Sequence, residues 1–247
     1  MVMFGVTLGQ RRVGGNRRSI IARLPRPQTC GIIALSFIAI AFSAPNARAL
    51  DRVFDGALDK VMGTLSVRFE PVMSQGSLIG CQIVYETTIR DWTYRKGAPL
   101  RVDGSVGFMT GERGDVSKLG ATVKVVVNEI DNDTKYQVIF RPSAPSRAYI
   151  ANEIFESNLD DLVSANRSDA PGGLFAIYQP LKTLQIVMES LDNAELNVFF
   201  NQMNGGSDIR LKVALDVERT DDSGAKVRSQ KAISAFRACL PRLIRRS

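Results

Sequence analysis

The side chains able to do chemistry are limited first by what the chain lacks. Its 247 residues contain no histidine. Ser-His-Asp and Cys-His nucleophile systems are therefore excluded, together with every zinc site that uses histidine. Carboxylate, lysine, tyrosine and serine–lysine chemistry remain. Ser223-Gly224-Ala225-Lys226 has the Ser-x-x-Lys spacing of penicillin-recognising enzymes, and Ser164-Ala165-Asn166 superficially matches their second motif. The order is reversed, however, the serine sits in a polar stretch, and no Lys-Thr-Gly follows. Asp131-Asn132-Asp133 lacks the glycine and distal glutamate of a calcium loop and reads as a hairpin turn. The acidic pairs Asp160-Asp161 and Asp221-Asp222 are adjacent in sequence, so nothing makes them face each other across a cleft. These residues give no catalytic assignment, no metal site and no cofactor.

Two features stand out. Arg90, Asp91, Trp92, Tyr94, Arg95 and Lys96 gather the only tryptophan of the chain with arginines and a tyrosine. Those are the residue types favoured at binding hot spots, which makes Arg90, Asp91, Trp92, Tyr94 and Arg95 a candidate interaction patch. The competing reading is an aromatic packed on a sheet edge beside a solvated turn. The second feature is the pair Cys81 and Cys239, expected to form one disulfide. The third cysteine, Cys30, precedes an apolar run and is expected to leave with a leader.

That leader is read from Met1 to Ala49. Seven arginines and no acidic residue precede or flank an uncharged run, Gly31 to Ala44, which ends in Ala47-Arg48-Ala49. This is the three-part pattern of a secretory signal peptide, and the run is too short to span a bilayer as a retained anchor. Arg17-Arg18 resembles a twin-arginine export signal but lies well before the apolar run. Losing seven arginines takes Lys plus Arg from 32 down to the 25 that Asp plus Glu already count. The remaining chain is net neutral, which gives no argument for nucleic acid or for an anionic membrane. The expectation is a periplasmic or secreted protein with no transmembrane segment after cleavage.

The elements that would position these residues read mainly as strands. In Gly76 to Asp91, Ile79, Cys81, Ile83, Tyr85, Thr87 and Ile89 share one face of an extended chain, with Val84 the apolar exception on the other. Leu65 to Glu70 alternates and is expected to stop at Pro71. Leu100 to Met109 is a strand weakened by Gly104 and Gly107. Ala121 to Ile130 and Lys135 to Phe140 form a hairpin, as do Leu196 to Asn201 and Ile209 to Val217. Ala148 to Phe155 offers another short strand. Helical spacing marks Leu50 to Met62, Leu181 to Leu191 after Pro180, where a strand through Leu184-Gln185-Ile186-Val187 is the rival reading, and a last helix with Ile233, Phe236, Cys239 and Leu240, capped by Ser229 and cut or kinked at Pro241. Ser157 is expected to cap a short helix through Val163. Asn166 to Gly173 is the best linker candidate and a weak sub-lobe boundary.

Together these give an α+β fold, predominantly antiparallel β-sheet and sandwich-like, with short N-terminal, middle and C-terminal helices and one disulfide. Residues 1–49 are the signal peptide and 50–247 a single exported domain. The function expected is a non-catalytic, envelope-associated binding or interaction protein, with an unknown envelope protein or small ligand as partner. The alternatives are a carboxylate-dependent hydrolase of envelope polymers and a carrier of a small apolar ligand.

Overall fold

The computed structural model describes residues 55–56, 58–111, 118–132, 137–153, 156–202 and 205–244. The leader read from 1–49 lies outside them. A short helical segment, α1 (58–61), ends at Gly63, whose φ of 74° is open to glycine at no steric cost. Then follow β1 (Leu65–Ser74), β2 (Ser77–Asp91), β3 (Ala98–Met109), β4 (Gly120–Asn132), β5 (Val138–Pro142), β6 (Ala148–Ala151), β7 (Leu162–Arg167) and β8 (Gly173–Tyr178). Helix α2 (Pro180–Asn193) leads into β9 (Glu195–Gln202), β10 (Gly205–Ala214), β11 (Val217–Thr220) and β12 (Lys226–Arg228). Helix α3 (Lys231–Ile244) closes the described chain.

A seven-stranded antiparallel sheet runs β1-β2-β3-β4-β8-β7, with β5 also paired to β4; a second sheet runs β10-β9-β6, and β11 pairs with β12. This is the expected antiparallel α+β architecture with three helices. Its inner face is a set of straight cross-strand rows. Cys81 opposes Phe108, Ala121 and Tyr178; Ile83 opposes Val106, Val123 and Ala176. All eight are buried. Strand β6 packs near β4 and β8, α2 lies on β4, β6 and β9, and α3 lies on β1 and β2. One hydrophobic cluster runs through both sheets and through α2 and α3. Burying each large aliphatic or aromatic side chain contributes about 1.5–3 kcal/mol, so this shared cluster is the principal source of cohesion.

The disulfide joins Cys81 on β2 to Cys239 on α3 across 158 positions, with the Cα atoms 6.0 Å apart. Phe236, one turn before Cys239, fills the same seam. Its ring meets Phe69 edge-on at 6.5 Å and Phe108 at 6.4 Å.

Several local expectations are corrected. Strand β1 continues through Pro71 to Ser74, because it is the outermost strand of its sheet and proline's missing donor falls on the open edge. No helix spans 157–163. A single 3-10 turn, Leu159–Asp161, gives way to β7. The side chain of Asn158 turns inward instead, accepting the Ile150 N–H at 3.0 Å and donating to Thr183 Oγ1 at 3.0 Å. Residues 166–173 form the closed end of the β7–β8 hairpin, where the Ser168 N–H donates to the Gly173 carbonyl. Helix α3 runs through Pro241 to Ile244. Ser229 Oγ accepts the Lys231 N–H at its start, as expected.

Gly104 strengthens its strand's packing. It stands opposite Tyr85, and a Cβ there would lie 2.3 Å from the tyrosine oxygen. The ring occupies the space a side chain would need. Burial raises the Tyr85 phenol above its ordinary pKa, and its hydroxyl has no hydrogen-bond partner among the described residues. Tyr178, also buried and raised, differs by donating to the Ala148 carbonyl and so ties β8 to β6. Tyr85→Phe is therefore expected to leave stability unchanged or raise it, since a desolvated, unpaired hydroxyl is removed. Tyr178→Phe is expected to cost about 1–3 kcal/mol by stranding a buried carbonyl. Urea denaturation of the two variants side by side checks this. Equal losses would mean that the Tyr85 hydroxyl has a partner.

Candidate ligand-binding cleft

A cleft of about 580 Å³ opens where α1, the ends of β1 and β2, β5 and β11 converge. That volume is in the range of small-molecule sites. Each wall has a local reason to be apolar. Leu58 and Val61 project from α1, Leu65 belongs to the buried face of the large sheet, and Ile130, itself buried, lies on the opposite face of β4, paired with Phe140 of β5. Val138 and Phe140 alternate along β5, which extends past the sheet's body with only β4 to pair with. Val61, Val138 and Phe140 remain 43%, 52% and 50% exposed, which is unusual for a continuous apolar lining.

Three of the four threonines among these walls, Thr64, Thr87 and Thr220, have committed hydroxyls. Thr64 Oγ1 donates to the Val61 carbonyl at 2.8 Å and Thr87 Oγ1 to the Thr64 carbonyl at 2.7 Å. Thr220 Oγ1 accepts the Leu65 N–H at 2.9 Å and donates back to the Leu65 carbonyl at 3.3 Å. Thr64 and Thr87 thereby tie the end of α1 to β2, and Thr220 ties β11 to β1.

An ion-pair ladder crosses the mouth. Arg68 pairs with Glu70 at 2.6 Å and with Glu86 at 2.7 Å. Arg101 pairs with the second oxygen of Glu86 at 3.4 Å and with Asp103 at 3.1 Å. The bonds to Glu86 and Glu70 hold the Arg68 guanidinium above its ordinary pKa. Burial pushes the Asp103 carboxyl up, against the opposing pull of Arg101. Arg219 also lines the cleft and makes no ion pair with a described residue.

The tryptophan-bearing stretch is divided by the fold. Asp91 is buried and accepts the Thr93 and Tyr94 N–H groups at 2.9 Å each, which shapes the β2–β3 turn. The Tyr94 hydroxyl donates to the Ser207 carbonyl and so ties that turn to the start of β10. Arg95 reaches Asp131 at 3.0 Å and Glu129 at 3.5 Å on β4. Arg90 pairs with Asp59 at 2.8 Å beside α1. Trp92 projects, 73% exposed, with the edge of its ring over Gly97. A Cβ at Gly97 would lie 2.6 Å from that ring, and its φ of 88° also favours glycine.

The remaining sequence candidates are turn and surface groups. Asp221 accepts from the Ser223 N–H and hydroxyl and from the Ala225 N–H, so Ser223 closes the β11–β12 hairpin. These bonds, the Ser223 hydroxyl first, lower the Asp221 pKa. Asp131 is engaged by Arg95 and Arg141. Among the described residues no cluster of metal-ligating side chains occurs, and no helix is long and apolar enough to cross a membrane. The cleft was not apparent from sequence, because its walls come from seven elements, α1, β1 to β5 and β11, whose residues look like ordinary strand and helix positions. The one available signal was the pair of apolar residues, Val138 and Phe140, in a strand too short and polar-flanked to be central. Comparison of the chain with known proteins matched no family model, no curated protein and no solved structure.

Proposed function

We propose that this chain is a non-catalytic binding protein of the cell envelope, exported and holding a ligand with a substantial apolar part. The observation that carries the reading is the 580 Å³ cleft, which the exposed Val61, Val138 and Phe140 line together. The Ala-x-Ala leader pattern and the bridged cysteines are compatible with an oxidising compartment. The hydrolase alternative would use Glu86 and Asp103, directly opposed on β2 and β3. Both are tied to Arg101, which favours ligand contact over proton transfer.

The test is uptake of N-phenyl-1-naphthylamine, an uncharged apolar fluorophore, by the protein without residues 1–49. Saturable enhancement with one site per chain is expected. Val138→Asp, at a half-exposed position that the core does not need, should weaken uptake by about tenfold or more by placing a charge in the apolar wall. Absence of saturable uptake would overturn the reading, as would release of sugars from envelope glycan by the pure protein.

A further inference from the structure

Glu86 and Arg101 line the apolar cleft and also a second, adjoining groove on the outer face of the large sheet. The groove follows one cross-strand row, Arg68, Val84, Ser105, Lys124, Phe175 and Asn166, from β1 to β7. Val84, the apolar exception on the outward face of β2, and Phe175, with Val72 and Met109 also lining the groove, give it part-exposed apolar patches. Four basic and four acidic side chains line it, so it carries no net charge. Most are paired in place: Lys124 with Asp169 at 2.9 Å, and the arginines of β1 and β3 through the ladder described above.

Such a surface discriminates by charge. A cationic head would have to break one of these pairs or stand beside a like charge, and an anionic head finds, among the groove's four basic groups, only the exposed Arg167 outside the pairs described above. A hydroxylated, uncharged head meets no such conflict. Its hydroxyls accept from guanidinium and ammonium N–H groups and donate to carboxylate oxygens that retain free lone pairs. The C–H face of a sugar ring can rest on Val84 or on Phe175, which stand three strands apart in the same row.

We propose that cleft and groove form a single site for an amphiphile of glycoside type, with the alkyl or acyl chain in the cleft and the uncharged, hydroxyl-rich head across the outer face. This rests on the ligand-binding reading above and names the ligand class for it.

Calorimetry with the protein lacking residues 1–49 tests it, using dodecyl maltoside, dodecanoate and dodecyltrimethylammonium below their micellar concentrations, with maltose as the tail-free control. The maltoside is expected to bind about tenfold or more tighter than either ionic amphiphile, and octyl maltoside more weakly than dodecyl. Val84→Arg, which puts a charge on the groove floor, should weaken the maltoside by about tenfold while leaving N-phenyl-1-naphthylamine uptake unchanged. If that variant fails to fold, Lys124→Ala, at a surface ion pair, should weaken the maltoside in the same selective way. Equal affinity for the three heads, or variants without selective effect, would overturn the glycoside assignment while the cleft reading stands. Absence of fluorophore uptake by the unmodified protein would overturn both.

Discussion

Replacing Cys81 with serine is expected to lower the unfolding free energy by about 2–5 kcal/mol, the usual loss when a native bridge is removed. The bridge closes a loop of 158 residues, and long loops lose the most unfolded-state freedom when they are cross-linked. It also acts at a sensitive place. Cys81 sits in the middle of β2, fully buried, between Pro71 on β1 and Phe108 on β3. Helix α3 is the last described element and follows a polar hairpin, so little besides its own apolar face holds it to the sheet. Cys81→Ala belongs beside the serine variant, because a buried hydroxyl adds a desolvation cost unrelated to the bridge. Urea denaturation should give a lower midpoint in both variants, and reductant should bring the parent protein to nearly the same value. For the protein lacking residues 1–49, the unreduced mass should be about two units below the reduced mass, the two hydrogens lost on forming the bond. Labelling of both thiols in native, unreduced protein, or an unchanged midpoint in Cys81→Ala, would show that the bridge does not hold the helix.

The bridge was legible in the sequence because only two cysteines follow the leader pattern. Strand β2 was legible because one of its faces is buried along nearly its whole length, which writes a two-residue period into Cys81, Ile83, Tyr85 and Thr87. The hairpins were legible through their turns. Gln75-Gly76, both at positive φ, closes β1–β2 within two residues. Strand β7 was not. It lies at the sheet's edge with every residue exposed or half-exposed, so no alternation marks Leu162-Val163-Ser164-Ala165-Asn166-Arg167 as a strand. Its acidic approach, Asp160-Asp161, imitates a helix start. Gly104 misleads in a different way. Sequence can register the propensity cost of a strand glycine but not the tyrosine ring that fills its place. The binding surface was hidden for a third reason. Glu86 and Arg101 read as the solvated side of two strands, and only the approach of α1, β5 and β11 places apolar walls beside them.

Phe236→Ala is the second large effect, expected to cost about 3–5 kcal/mol. The ring is fully buried and meets both Phe69 and Phe108, so its loss leaves a cavity between helix and sheet in addition to the lost transfer energy. How much of that cost remains depends on whether α3 can settle into the gap. Cys239 lies three residues on, on the same face of the helix, and fixes one point of α3 against β2. With the bridge intact, the helix cannot close on the cavity. With the bridge removed, it is free to shift toward Phe69 and Phe108 and recover part of the contact. The two changes are therefore expected to be non-additive: Phe236→Ala should cost less in the Cys81→Ala background than in the bridged protein. A double-mutant cycle by urea denaturation measures the difference. Equal costs in the two backgrounds would mean that packing along the whole helix, not the sulfur link, sets the position of α3.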